Sequence, residues 1–160
     1  MKKWMTLALG ALLVVGLLTA CGGKGGETAD ADLTDFYSGL EERYDWGGGY
    51  MTDIEGEMLE TYYPGLSDIE TEQFVAKMPM MSAVVNEVVF LQCKTEEDAS
   101  KAAAILQDRI DTQAEGGAWY PESMEAWGKG AVIQQGTYVA MIASAEHQTE
   151  LADQFNDLFA

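Results

Sequence analysis

Glu87-Val88-Val89-Phe90-Leu91-Gln92-Cys93-Lys94 runs directly into Thr95-Glu96-Glu97-Asp98, and the reading of this passage decides the fold. Its first part alternates, with Val88, Phe90 and Gln92 on one side and Val89, Leu91 and Cys93 on the other, the period-two pattern of a strand. Its second part has the form of a capping box, in which a threonine side chain accepts from the backbone N–H three residues on. Ala99, Ala102, Ala103, Leu106 and Ile110 then follow at helical spacing. A strand therefore hands over to an amphipathic helix almost without a loop.

Working outward, Gln73 to Met81 reads as a partner strand joined to the first around Ser82 to Asn86. Pro79 cannot donate to a ladder, so that partner is expected at an edge or with a bulge. The same order recurs downstream. Ala131 to Gln135 and Thr137 to Ser144 read as two strands around Gly136, and Leu151, Phe155, Leu158 and Phe159 share one face of a last helix. Upstream, Leu33, Phe36, Tyr37, Leu40 and Tyr44 form the stripe of an amphipathic helix that Gly47-Gly48-Gly49 is expected to end. A weaker helical stretch passes through Ile54, Met58 and Leu59, and Tyr63-Pro64-Gly65-Leu66 has turn chemistry. Glu115 to Lys129, rich in glycine and aromatics, reads as a loop. The predicted fold is α+β: an antiparallel sheet of about four strands, covered on one side by helices, built as two ββα units after an N-terminal helical segment. No residue-level repeat relates the two units.

The start of the chain carries an address. Met1-Lys2-Lys3 is a basic n-region and Trp4 to Ala20 is nearly unbroken apolar sequence, too short for a comfortable membrane span. Leu18-Thr19-Ala20-Cys21 resembles the lipobox of bacterial lipoproteins, and that resemblance implies a lipidated N-terminus at Cys21 after cleavage. Residues 1–20 are then a lipoprotein signal peptide, 21–32 the lipidated cysteine with a flexible glycine-rich tether of about 15–18 Å reach, and 33–160 a single globular domain. Two or more acyl chains hold a soluble domain stably, because one chain alone is marginal. The expected location is the extracytoplasmic face of the cell membrane. Gly22, and not Asp, follows Cys21, and the look of the tether suits a single-membrane bacterium.

After removal of residues 1–20, seven basic residues face 27 acidic ones, a net charge of −20. Such a surface repels nucleic acid, anionic lipid and wall polyanions, and favours a cationic partner: a basic peptide, a basic protein surface or a divalent metal. Acidity that merely keeps the domain soluble is the plainer reading. With Cys21 lipidated, Cys93 is the one thiol left, so no intrachain disulfide is expected.

No catalytic residues stand out. His147 is the single histidine, and no HExxH, GxSxG or Walker A pattern occurs. A Cys93–His147 dyad is outweighed by a buried, inert thiol, because Cys93 shares its strand face with Leu91 and Val89. Asp53, Glu57 and Glu60 on one helical face, and Asp30, Asp32 and Asp35, lack the glycine turn of a calcium loop, so no metal site and no cofactor is assigned. Alternation splits Met78 and Met80 from Met81, and core packing accounts for them more simply than Cu(I) binding. The remaining candidate binding surface is Trp119, Tyr120 and Trp127. Two placements are open for these rings, exposed anchors or a lid folded onto the sheet, and their density favours the lid.

Strand pair, helix, Trp119-Tyr120-Pro121-Glu122, then a strand pair containing Gly136-Thr137-Tyr138-Val139 resembles, over roughly Phe74 to Phe159, a family of small lipoproteins of Gram-positive bacteria known as a domain of unknown function of the 4358 type. The resemblance implies the order of elements and the anchoring, and carries no activity or catalytic residues. The resulting expectation is a lipid-anchored domain that binds an envelope protein, peptide or glycan without catalysis. Its rivals are a carboxylate-dependent envelope hydrolase using Glu122 and Glu125, and a small-solute or metal-binding lipoprotein.

Overall fold

A strand that is apolar on both faces needs cover on both. The computed structural model describes residues 30–160, so the expected signal peptide, Cys21 and the expected tether as far as residue 29 lie outside the described residues. Five strands, β1 (Met51–Asp53), β2 (Thr71–Pro79), β3 (Asn86–Cys93), β4 (Ala131–Gln135) and β5 (Tyr138–Ser144), form one antiparallel sheet in the order β1-β2-β3-β5-β4. Five helices accompany it among the described residues: α1 (Leu33–Arg43), α2 (Gly56–Tyr62), α3 (Glu96–Thr112), α4 (Pro121–Trp127) and α5 (Gln148–Asp157). The α+β class and the antiparallel sheet are as the sequence predicts, with β1 as an additional short strand.

The layering differs from the expectation of helices on one side. Val89, Leu91 and Cys93 of β3 and Val139, Met141 and Ala143 of β5 pack with Leu106 and Ile110 of α3 and Trp127 of α4. Val88, Phe90, Ala140 and Ile142, on the opposite face, pack with Leu33, Tyr37 and Leu40 of α1 and with Leu151 and Phe155 of α5. Phe90 and Phe155 stack at 5.9 Å. The result is three layers with the sheet in the middle. Each fully buried Leu, Ile or Phe contributes about 1.5–3 kcal/mol of transfer free energy, and both apolar faces of the central strands receive it. The two ββα units are also not copies of one another. Their inner strands β3 and β5 run antiparallel, yet α3 and α5 lie on opposite faces, and no rotation relates two units so arranged.

Local chemistry sets the element ends. Thr95 accepts from the Asp98 N–H at 3.1 Å, the N-cap half of the predicted capping box of α3, and the Asp98 carboxylate accepts from the Thr95 hydroxyl at 2.9 Å. Asp32 caps α1, accepting from the N–H groups of Thr34 and Asp35, both at 2.9 Å. This helix ends before the glycine run: Asp45 takes a left-handed φ of 54° and the Trp46 N–H donates to the Glu41 carbonyl at 3.0 Å, a Schellman-type closure that buries Trp46. Tyr63 to Leu66 is a type II turn, closed at 3.0 Å, with Gly65 at φ 86°.

Two further segments depart from the sequence reading, and a third meets it in part. Ile54 precedes α2, and Asp53 lies on β1, so Asp53, Glu57 and Glu60 do not share a helical face. β2 carries the irregularity expected of it, although between Thr71 and Gln73 and not at Pro79, which ends the strand opposite Met51 of β1, and β2 is an edge strand before Lys77. Glu115 to Lys129 is not a loop throughout. A π-helical turn over Gln113–Gly117 extends α3, and Pro121, pre-set for a first helical turn, opens α4.

The entry of the chain is clamped. Ala31 and Asp32, assigned to the tether by sequence, belong to the fold: the Gln73 amide accepts from the Leu33 N–H at 2.8 Å and donates to the Ala31 carbonyl at 2.8 Å. The Ala31 N–H donates to the Tyr138 hydroxyl at 3.3 Å. Gln73 and Tyr138 stand at the starts of β2 and β5, so the chain enters at one end of the sheet.

Candidate functional site

A charged group sits at the other end, where the sequence calls for apolar residues. Glu87 has the same strand parity as Val89, Leu91 and Cys93, and its side chain points into the core with 3 % exposure. Arg109 of α3 meets it in a fork, Nε to Oε1 and Nη2 to Oε2, both at 3.0 Å. Tyr63, at the end of α2, donates its hydroxyl to the same carboxylate. Burial pulls the Arg109 pKa down and Glu87 more than reverses it, leaving the guanidinium firmly charged. Burial first, and Glu87 second, push the Tyr63 hydroxyl well above its ordinary range, so it remains a donor. The rings of Tyr62 and Trp127 lie over the guanidinium, with centroids at 4.2 and 5.2 Å.

Above this group opens a cleft of ≈ 270 Å³ between the β2–β3 turn and the α3–α4 connection, with Arg109 and Trp127 in its wall and Met81 and Trp119 at its rim. A second opening of ≈ 290 Å³, walled by Trp46, Tyr50 and His147, adjoins it through Val84, Val85, Asn86 and Ser123. Asn86 Oδ1, on that shared wall, is buried without a hydrogen-bond partner among the described residues. Four of the six large apolar side chains exposed in the described domain, Met80, Met81, Trp119 and Tyr120, gather at this end of the sheet.

The three rings singled out by sequence are thus divided. Trp119 is 93 % exposed and Tyr120 52 %, while Trp127 is 5 % exposed and belongs to the core. The reason is the π-helical turn: the Ala118 N–H reaches back to the Gln113 carbonyl at 3.1 Å, ending the turn just before Trp119, whereas Trp127 closes α4 against the sheet. Neither placement considered for all three rings together holds, since one ring is lid and two are outside.

The other candidates fall in separate places. Cys93 ends β3 and His147 follows β5 beside the start of β3, so the length of the strand, about 23 Å, separates them. Burial, then Asp98, raises the Cys93 thiol from 9.0 to about 11. Since the folded value lies above the unfolded one, its contribution to stability is complete below about pH 9 and disappears as pH rises toward 11. Iodoacetamide at pH 8 is expected to leave Cys93 unmodified in the folded domain and to modify it fully in denaturant, as intact mass measures; rapid native labelling would mean that this end of β3 opens. Glu122 is exposed, and Glu125 is ion-paired to Lys129 at 2.7 Å, which holds its carboxyl below the ordinary range, the reverse of what a general acid needs. Met78 packs on the core, while Met80 and Met81 are exposed. Among the described residues, no three His, Cys, Asp or Glu side chains are grouped to hold a metal ion, and no helix is long and apolar enough to cross a membrane.

Glu87, Arg109 and Tyr63 escape a motif search. Their signal was one acid on the inward face of a β-branched strand, with a basic residue one helical turn after Leu106.

These features define a class: a small α+β domain, one antiparallel sheet between two helical layers, with an aromatic cleft at the end of the sheet away from the chain entry. More particularly, the chain belongs to the family described as Domain of unknown function (DUF4358), whose profile matches residues 30–144. The match begins upstream of Phe74 and stops at the end of β5, before α5. No curated protein and no solved structure matches the chain.

Proposed function

We propose that this protein is a lipid-anchored extracytoplasmic binding module that holds an envelope protein, peptide or glycan at its end-of-sheet cleft and performs no chemistry of its own. The observation that carries the reading is Trp119, 93 % exposed at the rim of a cleft whose wall contains the charged Arg109. A tryptophan left in water forgoes a large apolar burial, and Trp, Tyr and Arg are the residues most often found as hot spots of binding. The Lys2-Lys3 n-region, the apolar run and Leu18-Thr19-Ala20-Cys21 support the anchor, and the resemblance to lipoproteins of Gram-positive bacteria supports a single-membrane envelope.

The test is proximity crosslinking from the full chain in its native membrane, followed by mass spectrometry of what is captured. Trp119→Ala is expected to lower capture by about 30-fold, as loss of a hot spot worth about 2 kcal/mol would, with the melting temperature unchanged. Cys21→Ala is expected to release the chain from the membrane fraction. Full capture by Trp119→Ala would remove the cleft from consideration.

A further inference from the structure

The two edges of the sheet are finished differently. Along β4, helices α3 and α5 close in: the Gln134 amide donates to the Glu96 carbonyl at 3.4 Å and to Ser100 at 3.3 Å, and the Gln135 amide donates to Asn156 at 2.9 Å. At the opposite edge, β1 covers β2 only from Lys77 to Pro79. The cover ends where the Ile54 N–H donates to the Ala76 carbonyl at 2.9 Å. Alternate residues of a strand aim their backbone groups the same way, so the N–H and C=O of Phe74 also point outward, and among the described residues no strand lies beside them. A groove of ≈ 500 Å³ follows this bare stretch.

Its lining shows that it runs along the edge. Tyr37 and Lys77 reach it from one face of the sheet, Leu59 and Phe74 from the other. A strand laid there would send alternate side chains to both sides, the geometry of peptide recognition by strand addition.

Three observations say what it takes. Glu41, Asp53 and Glu55 line the groove, and Lys77, 2.7 Å from Asp53, is the single cation among its lining residues. Phe74, 36 % exposed, and Leu59 supply apolar contact between the acids. Tyr37, 5 % exposed, lines the groove beside Glu41 and Asp53, and burial first, then these two negative charges, raise its hydroxyl above the ordinary range, so the groove is an acidic setting. A second copy of the chain is a poor occupant, because residues 30–160 carry 6 basic and 26 acidic side chains and would repel their own kind.

We propose that the bare edge of β2 receives a cationic, extended peptide segment of a partner protein as an added strand, with lysine or arginine side chains reaching Glu41 and Glu55. This site is separate from the Trp119 cleft and stands without it.

The experiment titrates the full chain, in detergent micelles, with a short synthetic peptide of alternating lysine and valine, and with its glutamate–valine counterpart. Affinity is read by calorimetry and position by amide hydrogen exchange. The lysine peptide is expected to bind, more weakly as salt rises, and to slow exchange at Phe74 and Ala76; the glutamate peptide is not. Phe74→Pro deletes the outward N–H while leaving the β2–β3 ladder intact, and is expected to weaken binding about ten-fold. Glu41→Gln with Glu55→Gln removes two carboxylates of the groove, one half-buried beside Tyr37 and one exposed, and is expected to weaken binding by a similar factor, while Trp119→Ala leaves it unchanged. Absence of binding overturns the proposal. So does binding without protection at Phe74 and Ala76, which would be plain charge attraction, and so does the same protection produced by self-association of the chain.

Discussion

Glu87→Ala lowers the unfolding free energy of the domain by about 3–5 kcal/mol, measured by urea denaturation. The substitution leaves Arg109 in place, 11 % exposed and stripped of both bonds to its carboxylate, and it removes the acceptor of the Tyr63 hydroxyl. The damage comes from the uncompensated charge and not from the attraction that is lost, since desolvation consumes most of what a buried pair gains. The proof is a rescue. Glu87→Met, Arg109→Met and Tyr63→Phe combined leave no polar group without a partner and are expected to recover most of the stability, although every one of the original bonds is gone. A triple variant as unstable as Glu87→Ala would show that the geometry of the fork itself holds β3, α3 and the end of α2 together.

The two tryptophans eight positions apart are expected to behave as opposites. Trp127→Ala empties a core site between α4, α3 and the sheet, and large aromatic deletions of this kind cost about 3–5 kcal/mol. It also removes one of the two rings closest to the Arg109 guanidinium. Trp119→Ala deletes a side chain that is 93 % exposed and is expected to change stability by no more than about 0.5 kcal/mol. Chemical denaturation of both variants checks the contrast, and iodide quenching separates the two indoles spectroscopically. A Trp119→Ala domain as unstable as Trp127→Ala would mean that the Trp119 ring folds onto the protein in solution.

What was legible in the sequence was local. Alternation in β3, the capping box of α3 and the Pro64-Gly65 turn each depend on a few neighbouring residues, and each stands where expected. The layering was written in the same residues but needs a comparison across the sheet. Val88 and Phe90 are as apolar as Val89 and Leu91, and a strand with no polar face has to be covered twice. β1 and α4 were missed because three residues, or a seven-residue helix between glycines, carry too little periodicity to outweigh their surroundings. At the candidate site the aromatic content was legible and its division was not, because one π-helical turn decides which rings face water. The Glu87–Arg109 fork joins residues 22 positions apart and has no local signature beyond an acid out of place.

The clamp on Ala31 and the cleft beside Asn86 stand at opposite ends of the strands, and that polarity has a mechanical meaning. Were the chain anchored at Cys21 and a partner held in the cleft, as proposed, the pull on the domain would run along the strand direction. Backbone bonds between strands lie across that direction, so tension shears whole ladders at once instead of unzipping them one bond at a time. The Gln73 side chain ties the entering chain to β2 at the point where the load would arrive. Under that proposal the sheet would lie in line with the load, between the anchor at one end of its strands and the partner at the other.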